Sequence, residues 1–400
     1  MMDKVAFLCG IWTKSDENTI LNNSIGGIQS AANVFQNNII EGLDINLDQP
    51  LSILNEVFIG SFPRRYKKPY IPGGKWNHSK LKQHIDYNIE FINLPLVKHL
   101  SRLLHSKKYI RRVCNEELIL IGYSMTFSIV EALVYAKKYN PNIKTCLIIP
   151  DLPEYMNLGK KRNPIEALIK SIINKRLYHD LKKIDSFVVL TNHMYNELHV
   201  NKPYIVVEGI ASEMRKTMPI KNSFTEKNIV YTGSLAQKYG VLDLVDAFVR
   251  IEDPELRLII CGAGDGSEYI KQAAVRDNRI KYMGTVSNDE ARNLQANAYL
   301  LINPRNSKEE YTKYSFPSKT MEYMATGRPV LMYKLKGIPD EYDEYLYYID
   351  GNIEQSIRRV LTIESEILNE RGKKARQFVL ENKNKENQCK RILDFLYSLN

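Results

Sequence analysis

The sequence predicts an α/β protein built from two doubly wound domains, and three observations support this fold class. Short apolar segments typical of buried strands alternate with segments of helical periodicity along most of the 400 residues. That alternation favours mostly parallel sheets covered by helices on both faces. The chain is longer than one typical core requires, and its pattern breaks between Val207 and Ser223 in a stretch typical of a linker. We therefore expect two Rossmann-like domains that face each other across a cleft.

The predicted boundaries follow from this linker. Residues 1–212 are expected to form the first domain and residues 213–380 the second. Residues 381–400 are predicted to form a helix with one apolar stripe, and we expect this helix to pack back toward the first domain. The stripe consists of Cys389, Ile392, Leu393 and Leu396.

The composition is that of a soluble globular protein, with 44% hydrophobic and 26% charged residues. No apolar run approaches the ~20 residues of a membrane span, and the start lacks the basic region of a signal peptide. The five cysteines are scattered, which indicates reduced thiols in a cytoplasmic protein. We expect neither metal nor cofactor, because the chain has no Cys/His spacing typical of zinc and no Asp-x-Asp motif.

The net charge of +10 is concentrated in the first half of the chain. Residues 1–210 hold 27 lysines and arginines against 19 acidic residues, whereas the remainder holds 29 against 27. This excess favours an anionic partner, which could be a phospholipid surface, a pyrophosphate-linked acceptor or nucleic acid. The alternative is that the positive charge merely keeps the protein soluble. Nucleic acid is not expected, since no RNA- or DNA-reading motif is present.

Two basic stretches stand out in this half. The first runs from Arg64 to Trp76, mixes cations with aromatic residues and is predicted to be an irregular loop. The second, from Pro95 to Arg112, is predicted to be a helix with cations beside a leucine stripe. A basic amphipathic helix suits an anionic membrane surface, but a helix with a leucine core face and solvated cations explains the pattern equally well. The stripe consists of Leu96, Leu100, Leu103 and Leu104.

Two features of the first half fit a ligand-binding edge. Gly26 and Gly27 follow the first strand and open a helix, where glycines let a ligand approach the backbone closely. A simple packing turn explains that pair as well. Asp151 comes just after the strand Thr145 to Ile149, so it can hydrogen-bond an acceptor hydroxyl or take its proton, or else cap a turn.

Four successive strand ends of the second half carry glycine, small polar or basic residues. Because the carboxyl ends of parallel strands meet at one edge, we expect these loops to lie close together. One such loop is weak evidence for a ligand site, whereas four are hard to explain as packing turns. The residues concerned are Gly233, Ser234 and Lys238 after the first strand, Gly262 after the second, Gly284 and Val286 after the third, and Arg305 after the fourth.

A fifth loop leads into a short helix. Ser315, Phe316 and Pro317 form a turn, and Ser318 and Lys319 begin the helical segment. The unpaired N–H groups of a helix start can hold a phosphate, to which a hydroxyl and a cation are added here. Glu322 lies one helical turn further along, on the same side. The stretch therefore indicates a diphosphate site with a carboxylate for a sugar hydroxyl, or an ordinary αβ unit with a solvated lysine.

These residues resemble a known family. Ser315-Phe316-Pro317-Ser318-Lys319, followed by Glu322 and by Gly327-Arg328-Pro329, is similar to the Pro-Ser-Lys motif of family-four retaining glycosyltransferases of GT-B architecture, of the bacterial surface-polysaccharide type. The resemblance covers nearly the whole chain and is strongest after residue 228. It implies an acceptor-binding first domain and a nucleotide-sugar-binding second domain.

The resemblance also implies roles for the candidate residues. The donor diphosphate would lie at Ser318 and Lys319, with Glu322 on the ribose. Gly284 to Val286 would contact the base through the backbone, and Gly233 and its neighbours would lie near the phosphates. Gly26 and Gly27 would face the donor, and Asp151 would lie near the sugar and acceptor.

Two positions depart from the family pattern. Tyr314 stands where many members carry an acidic residue near the donor sugar. Ser234 and Tyr239 replace an arginine and a lysine that often hold the pyrophosphate, although Lys238 is one residue away. We expect Arg305 to supply the missing cation.

The expected activity is transfer of a hexose-type sugar, with retention and without a metal, from a uridine diphosphate donor to a lipid-linked or growing polysaccharide acceptor. Catalysis would depend on Asp151, Lys319 and Arg305, at the inner face of the cytoplasmic membrane. Two alternatives remain open at this point, namely a sugar-nucleotide epimerase of the same architecture and a non-catalytic nucleotide-sugar-binding protein.

Overall fold

A computed structural model describes residues 4–79, 82, 84–95, 97–155, 164–211 and 226–399. The chain forms two compact units. The first, called here the N-terminal unit, comprises Met1–Glu208 together with Lys385–Asn400, and the second, the C-terminal unit, comprises Gly209–Asn384. Each has a mostly parallel sheet with helices, so the predicted α/β class with two domains is confirmed. None of the described helices is long and apolar enough to span a bilayer.

The N-terminal unit is built on a sheet with the strand order β10-β9-β8-β7-β1-β2-β5-β4. All neighbouring strands are parallel except the outermost pair, β4 and β5. Strands β3 and β6 form a separate antiparallel ribbon. In chain order the elements are β1 (Lys4–Cys9), α1 (Glu17–Asn23), α2 (Ser30–Asn46), β2 (Ser52–Asn55), β3 (Tyr70–Ile71), β4 (Gly74–Trp76), β5 (Asp86–Asn88), β6 (Phe91–Ile92), α3 (Val97–Val113), β7 (Leu118–Tyr123), α4 (Phe127–Tyr139), β8 (Lys144–Ile149), α5 (Pro164–Leu181), β9 (Ser186–Val189), α6 (Asn192–Glu197) and β10 (Tyr204–Val206).

The C-terminal unit is built on a parallel sheet with the order β13-β12-β11-β14-β15-β16. Three 3₁₀ turns, Gln237–Tyr239, Glu310–Tyr314 and Asp340–Tyr342, interrupt its loops. Its elements are β11 (Asn228–Thr232), α7 (Val241–Val249), β12 (Arg257–Cys261), α8 (Ser267–Arg276), β13 (Ile280–Gly284), α9 (Asn288–Ala296), β14 (Leu300–Asn303), α10 (Ser318–Met324), β15 (Val330–Met332), β16 (Tyr347–Tyr348), α11 (Ile353–Leu361) and α12 (Ser365–Asn382). The last helix, α13 (Lys385–Tyr397), belongs to the N-terminal unit.

The strand order of the C-terminal unit determines where a ligand can bind. From β11 the chain builds the sheet toward β12 and β13, then returns to place β14 on the other side of β11. Loops that leave the carboxyl ends of two such strands diverge to opposite faces, which opens a crevice at that point. The loops after β11 and β14 are therefore the expected borders of a binding site.

Both faces of this sheet are covered by apolar cores, as the sequence pattern predicts. Along β12, Leu258 and Ile260 contribute to one core, whereas Ile259 and Cys261 contribute to the other. Successive side chains of a strand point to opposite faces. A strand with apolar residues at both kinds of position is thus buried on both sides, which is typical of parallel sheets.

Helix α13 packs on α2 within the N-terminal unit. Its first residue, Lys385, forms an ion pair with Glu41 at 2.8 Å, and the amide of Asn46 donates to the carbonyl of Glu386 at 2.9 Å. The units divide after Glu208 and after Asn384, a few residues from the predicted boundaries at 212 and 380. Most of the predicted linker lies outside the described residues.

Helix α3 has an orientation that the sequence did not predict. Of its leucine stripe, Leu103 is buried, but Leu100 and Leu104 are exposed, and Leu96 lies outside the described residues. Lys98 and Arg102 point inward instead, and burial, followed by the charge of Arg102, lowers the pKa of Lys98 to about 6. The expectation of a leucine core face with solvated cations is therefore wrong for the first half of this helix.

Irregular segments account for the other differences. The structure has a helix, α1, between the first strand and Gly26 that the sequence did not predict, and the sequence contained no signal for β3 to β6. These strands contain two or three residues each, too few for an alternating pattern to be recognised. Helix α2 begins at Ser30, so the glycine pair lies before the helix rather than in its first turn.

The contact between α13 and α2 provides a test of the fold. A Cβ atom added at Gly42 would lie 2.3 Å from the backbone carbonyl oxygen of Lys385, whereas one added at Gly74 has nothing within 4 Å. We expect Gly42→Ala to destabilise the protein by about 1–3 kcal/mol through overpacking, although alanine favours helices. Thermal unfolding should show a lowered Tm for this variant and an unchanged Tm for Gly74→Ala. Equal Tm values for the two variants would contradict the described packing.

Candidate functional site

The loops after β11, β12 and β13 lie together at one edge of the C-terminal sheet. The amide of Gly233 donates to the carbonyl of Cys261 at 3.0 Å, and the amide of Gly262 donates to the carbonyl of Gly284 at 2.7 Å. A Cβ atom at Gly262 would lie 1.8 Å from the carbonyl oxygen of Gly233, and its φ of +140° is also unfavourable for other residues. Glycine at position 262 thus allows the close approach of two of the predicted loops.

The third loop is the most open of the three. Gly284 has a φ of +65°, and nothing lies within 4 Å of the position that a Cβ would occupy. Val286 is half-buried and packs against the apolar core. The expected contact of this segment with a base through its backbone stays a prediction.

The motif that leads into α10 has a buried and an accessible part. Phe316 and Pro317 are buried, and the Phe316 ring lies 5.2 Å from that of Tyr342, between ring centres. Ser318 is exposed, and the side chain of Lys319 exposes 38% of its surface. The structure therefore makes Phe316 a packing residue, whereas Ser318 and Lys319 can meet a ligand.

Lys319 and Glu322 contact each other directly. The Lys319 ammonium lies 2.9 Å from Oε1 and 2.8 Å from Oε2 of Glu322, one helical turn away. Both side chains are 38% exposed, and such surface pairs contribute about 0–1 kcal/mol. A ligand that binds both groups can therefore separate the pair at little cost.

Gln295, in α9, contacts Glu322 from the interior of the C-terminal unit and positions its carboxylate. Its side chain is fully buried, and its amide nitrogen donates to Oε1 of Glu322 at 2.8 Å and to the hydroxyl of Thr232 at 2.7 Å. Gln295 is not among the residues that the sequence predicts for the site. No local pattern around Gln295 distinguishes it from a surface glutamine, because its role depends on three segments that meet only in the fold.

Tyr323 fastens the same helix to the end of β11. Its hydroxyl accepts from the amide of Thr232 at 2.8 Å and donates to the carbonyl of Thr232 at 3.1 Å. Burial raises the pKa of Tyr323, so the phenol stays neutral and keeps its proton to donate. Helix α10 is thus held at the strand end by side chain to backbone bonds.

Lys238 and Arg305 meet around two tyrosines. The Arg305 guanidinium carbon lies 5.6 Å from the ring centre of Tyr239 and 4.9 Å from that of Tyr311. The Lys238 ammonium lies 5.3 Å and 5.7 Å from the same two rings. Arg305 also donates to the hydroxyl of Ser315 at 3.1 Å. The structure therefore brings together three predicted residues from the loop after β11, the loop after β14 and the motif before α10.

One atom of this group has an unused hydrogen-bonding capacity. The Nε atom of Arg305 is buried and has no hydrogen-bond partner in the described part of the chain. Leaving a buried charged donor unpaired costs more than a lost neutral bond. An anion that reaches Arg305 would satisfy it.

The two departures from the family pattern occupy different environments. Tyr314 is 5% exposed, and the Lys313 ammonium lies 4.7 Å from its ring centre. Ser234 is exposed, and its carbonyl accepts from the hydroxyl of Tyr231 at 2.7 Å. The Tyr314 ring is thus part of the packing of its loop.

Three predicted residues belong to the N-terminal unit. Gly26 and Gly27 are exposed; Gly26 has a φ of +88°, and a Cβ there would lie 3.4 Å from an Arg65 nitrogen. Asp151 is exposed two residues after β8. Burial and, to a smaller extent, the charge of Asp151 raise the pKa of Tyr123.

In neither unit do three metal-ligating side chains converge among the described residues.

One family model matches part of the C-terminal unit. Residues 226–364, which include the loops and α10, match the model of the family described as Glycosyl transferases group 1. No curated protein sequence matches the chain.

Several solved structures have the same fold. Sucrose-phosphate synthase from Thermosynechococcus elongatus is 14% identical, with a TM-score of 0.64 and 99% of both chains covered. The lipopolysaccharide outer core galactosyltransferase WaaB in its apo form is 14% identical, with a TM-score of 0.62 and 99% of both chains covered. Anabaena HepE in complex with UDP is 12% identical, with a TM-score of 0.60 and coverage of 99% of this chain and 100% of that one. The predicted GT-B fold is confirmed.

The contribution of the Tyr323 hydrogen bonds can be tested by measuring the free energy of unfolding. Tyr323→Phe leaves the amide and carbonyl of Thr232 without their buried partner, and we expect a loss of about 1–3 kcal/mol. A loss of this size should lower Tm by about 2–4 °C per kcal/mol in a unit of this length. The matched control is Tyr269→Phe, whose surface hydroxyl bonds Asp246 and whose removal should change stability by less than about 0.5 kcal/mol. If both variants unfold at the wild-type temperature, Tyr323 does not hold α10 in place.

Proposed function

We propose that this chain moves a sugar from a uridine diphosphate donor to a carbohydrate acceptor with retention of configuration. The GT-B fold and the match of residues 226–364 to the model of the group 1 glycosyl transferases support this proposal. The observation that carries the proposal is the group formed by Lys238, Arg305 and Ser315 at the carboxyl edge of the C-terminal sheet. The bound UDP of the Anabaena neighbour supports the choice of nucleotide.

The diphosphate is assigned to the cationic side chains. The departing nucleoside diphosphate gains negative charge as the sugar leaves, and preorganised donors that meet this charge lower the barrier. Arg305 is held by Ser315 and by two tyrosine rings, so little reorganisation is needed. Lys319 is partly exposed and forms only a weak surface ion pair, so it is expected to turn from Glu322 to the phosphates.

The ribose is assigned to Glu322. A carboxylate accepts hydrogen bonds from vicinal hydroxyls, and these charge-assisted bonds are stronger than neutral ones. Gln295 fixes one oxygen of Glu322, which leaves the other oxygen to a ligand once Lys319 has moved. The base is assigned to the backbone at Gly284.

The reaction exchanges one bond at the anomeric carbon. The bond to the β-phosphate oxygen breaks, and its electron pair leaves with UDP. The acceptor hydroxyl oxygen forms the new bond on the same face. We assign Asp151 to hydrogen-bond this hydroxyl, and its carboxylate takes up the released proton.

The acceptor is proposed to be a lipid-linked or growing polysaccharide at the inner face of the cytoplasmic membrane. The basic excess of residues 1–210 supports an anionic acceptor or surface for the N-terminal unit. This part of the proposal is independent of the donor assignment.

Nucleotide analogues can test the roles of Lys319 and Glu322 separately. Lys319→Ala should weaken UDP binding roughly ten- to hundredfold but leave uridine binding unchanged, because only UDP carries phosphates. Glu322→Ala should weaken UDP binding similarly but leave 2′,3′-dideoxyuridine diphosphate unaffected, because that analogue lacks the diol. Calorimetric titration of the wild type and both variants would measure the affinities for UDP, uridine and the dideoxy analogue.

The matched control is Lys271→Ala. Lys271 is also a helical lysine with a glutamate three residues away, Glu268, but it lies outside the site. Its variant should bind UDP like the wild type. Unchanged UDP affinity in both site variants would refute the diphosphate and ribose assignments.

Transfer itself can be tested with UDP-sugars and an oligosaccharide or lipid-linked acceptor. We expect release of UDP together with a longer acceptor, and Arg305→Ala should lower kcat about tenfold or more because Arg305 meets charge that grows in the transition state. A changed sugar found with donor alone would instead identify an epimerase. Donor binding without transfer to any acceptor, or hydrolysis, would identify a binding protein.

A further inference from the structure

The N-terminal unit exposes a group of large apolar side chains, called here the outer apolar patch. Six side chains form it, and each is between 37% and 56% exposed. They come from the β3–β6 ribbon, the following loop and the first two turns of α3. The patch consists of Tyr70, Ile92, Leu94, Val97, Leu100 and Leu104.

Pairing aligns the patch residues of the ribbon, and helical spacing aligns those of α3. Tyr70 and Ile92 are directly opposite each other in the antiparallel ribbon, and residues so paired point to the same face. The amide of Ile92 donates to the Ser101 hydroxyl at 3.0 Å, which fixes the ribbon to α3. Within α3 the patch residues are spaced three and four apart, so they form one stripe.

Buried donors keep this stripe outward. The side-chain nitrogen of Lys98 donates to the carbonyl of Ile59, and Arg102 donates to the carbonyl of Val57 on the loop after β2. The Arg102 guanidinium also lies 3.8 Å from the carboxylate of the fully buried Glu56. Rotating α3 to bury the leucines would leave these buried groups unpaired, at a cost that exceeds the gain of apolar burial.

The last two turns of the same helix carry four cations. Lys107 and Arg111 lie over the ring of Tyr135, and Arg112 lies over the ring of Tyr109. None of these three has a carboxylate within ion-pair distance among the described residues, whereas Lys108 pairs with Glu90 at 3.3 Å. The apolar patch is thus continued by positive charge that the N-terminal unit leaves largely uncompensated.

We propose that the outer apolar patch and the cations of the last two turns of α3 dock the protein on an anionic lipid bilayer. The apolar side chains enter the boundary between headgroups and acyl chains, and Lys107, Arg111 and Arg112 meet the anionic headgroups. Charge complementarity favours this occupant over a neutral protein surface. This docking rests on the proposed function, which places the acceptor at the membrane. It assigns the contact with the membrane to a defined surface of the N-terminal unit.

Co-sedimentation with vesicles tests the docking. Wild-type protein should bind vesicles of phosphatidylglycerol and phosphatidylcholine, more weakly as salt rises, and should bind pure phosphatidylcholine far less. Arg111→Gln with Arg112→Gln should weaken binding roughly thirtyfold, since each surface cation contributes about 1 kcal/mol. Leu100→Ser with Leu104→Ser should weaken it roughly tenfold, from the lost apolar insertion.

Matched controls use the C-terminal unit. Lys281→Gln with Lys373→Gln removes two exposed cations, and Val249→Ser with Val275→Ser removes two exposed apolar residues. Both should bind vesicles like the wild type. Losses equal to those of the α3 variants, or absence of wild-type binding to anionic vesicles at low salt, would overturn the proposal.

Two further measurements distinguish membrane docking from misfolding of the variants and from dimerisation of the chain. UDP affinity and Tm should be unchanged in the α3 variants, so a loss of vesicle binding without a change in either is specific to the surface. Failure of UDP binding in the wild type would refute the donor assignment but not the docking. The patch could instead join two copies of the chain. In that case sedimentation would show a wild-type dimer, and Leu100→Ser with Leu104→Ser would convert it to a monomer without affecting vesicle binding. That result would also overturn the proposal.

Discussion

The arrangement of the C-terminal unit depends above all on the buried hydrogen bonds around Thr232, where β11 ends. Tyr323 from α10 pairs with both backbone groups of Thr232, and Gln295 from α9 pairs with its hydroxyl. Because buried polar groups are costly when unpaired, these bonds allow one relative position of a strand and two helices. Gln295 extends the constraint to Glu322, so a group at the surface is oriented by a fully buried one.

The sequence predicted much of this edge, because its signals are local. Glycines and cations after apolar strands indicate open loops at any sheet edge, and they indicated Gly262, Lys238 and Arg305. The pairing of Lys238 with Arg305 around the same tyrosines depends instead on strand order, since β14 returns to lie beside β11. Gln295 had no signal for the same reason: its partners are distant in sequence.

Helix α3 shows where periodicity fails. A helical stripe of leucines indicates an apolar face but not the direction in which it points, and the rule that apolar residues are buried has many exposed exceptions. Here the carbonyls of Val57 and Ile59 need buried donors, which Arg102 and Lys98 supply. Satisfying those polar groups determined the rotation of the helix, and no local sequence pattern reveals that demand.

The Lys319–Glu322 pair suggests how the proposed site distinguishes a nucleotide from a simple anion. A phosphate that takes Lys319 away from Glu322 leaves a carboxylate uncompensated beside new negative charge, and like charges at short range are unfavourable. A nucleoside diphosphate brings hydroxyls as well as phosphates, so it can engage the lysine and the carboxylate together. We therefore expect the ion pair to reject inorganic phosphate and to favour a ligand with both groups, which makes the pair a source of selectivity although it contributes little stability.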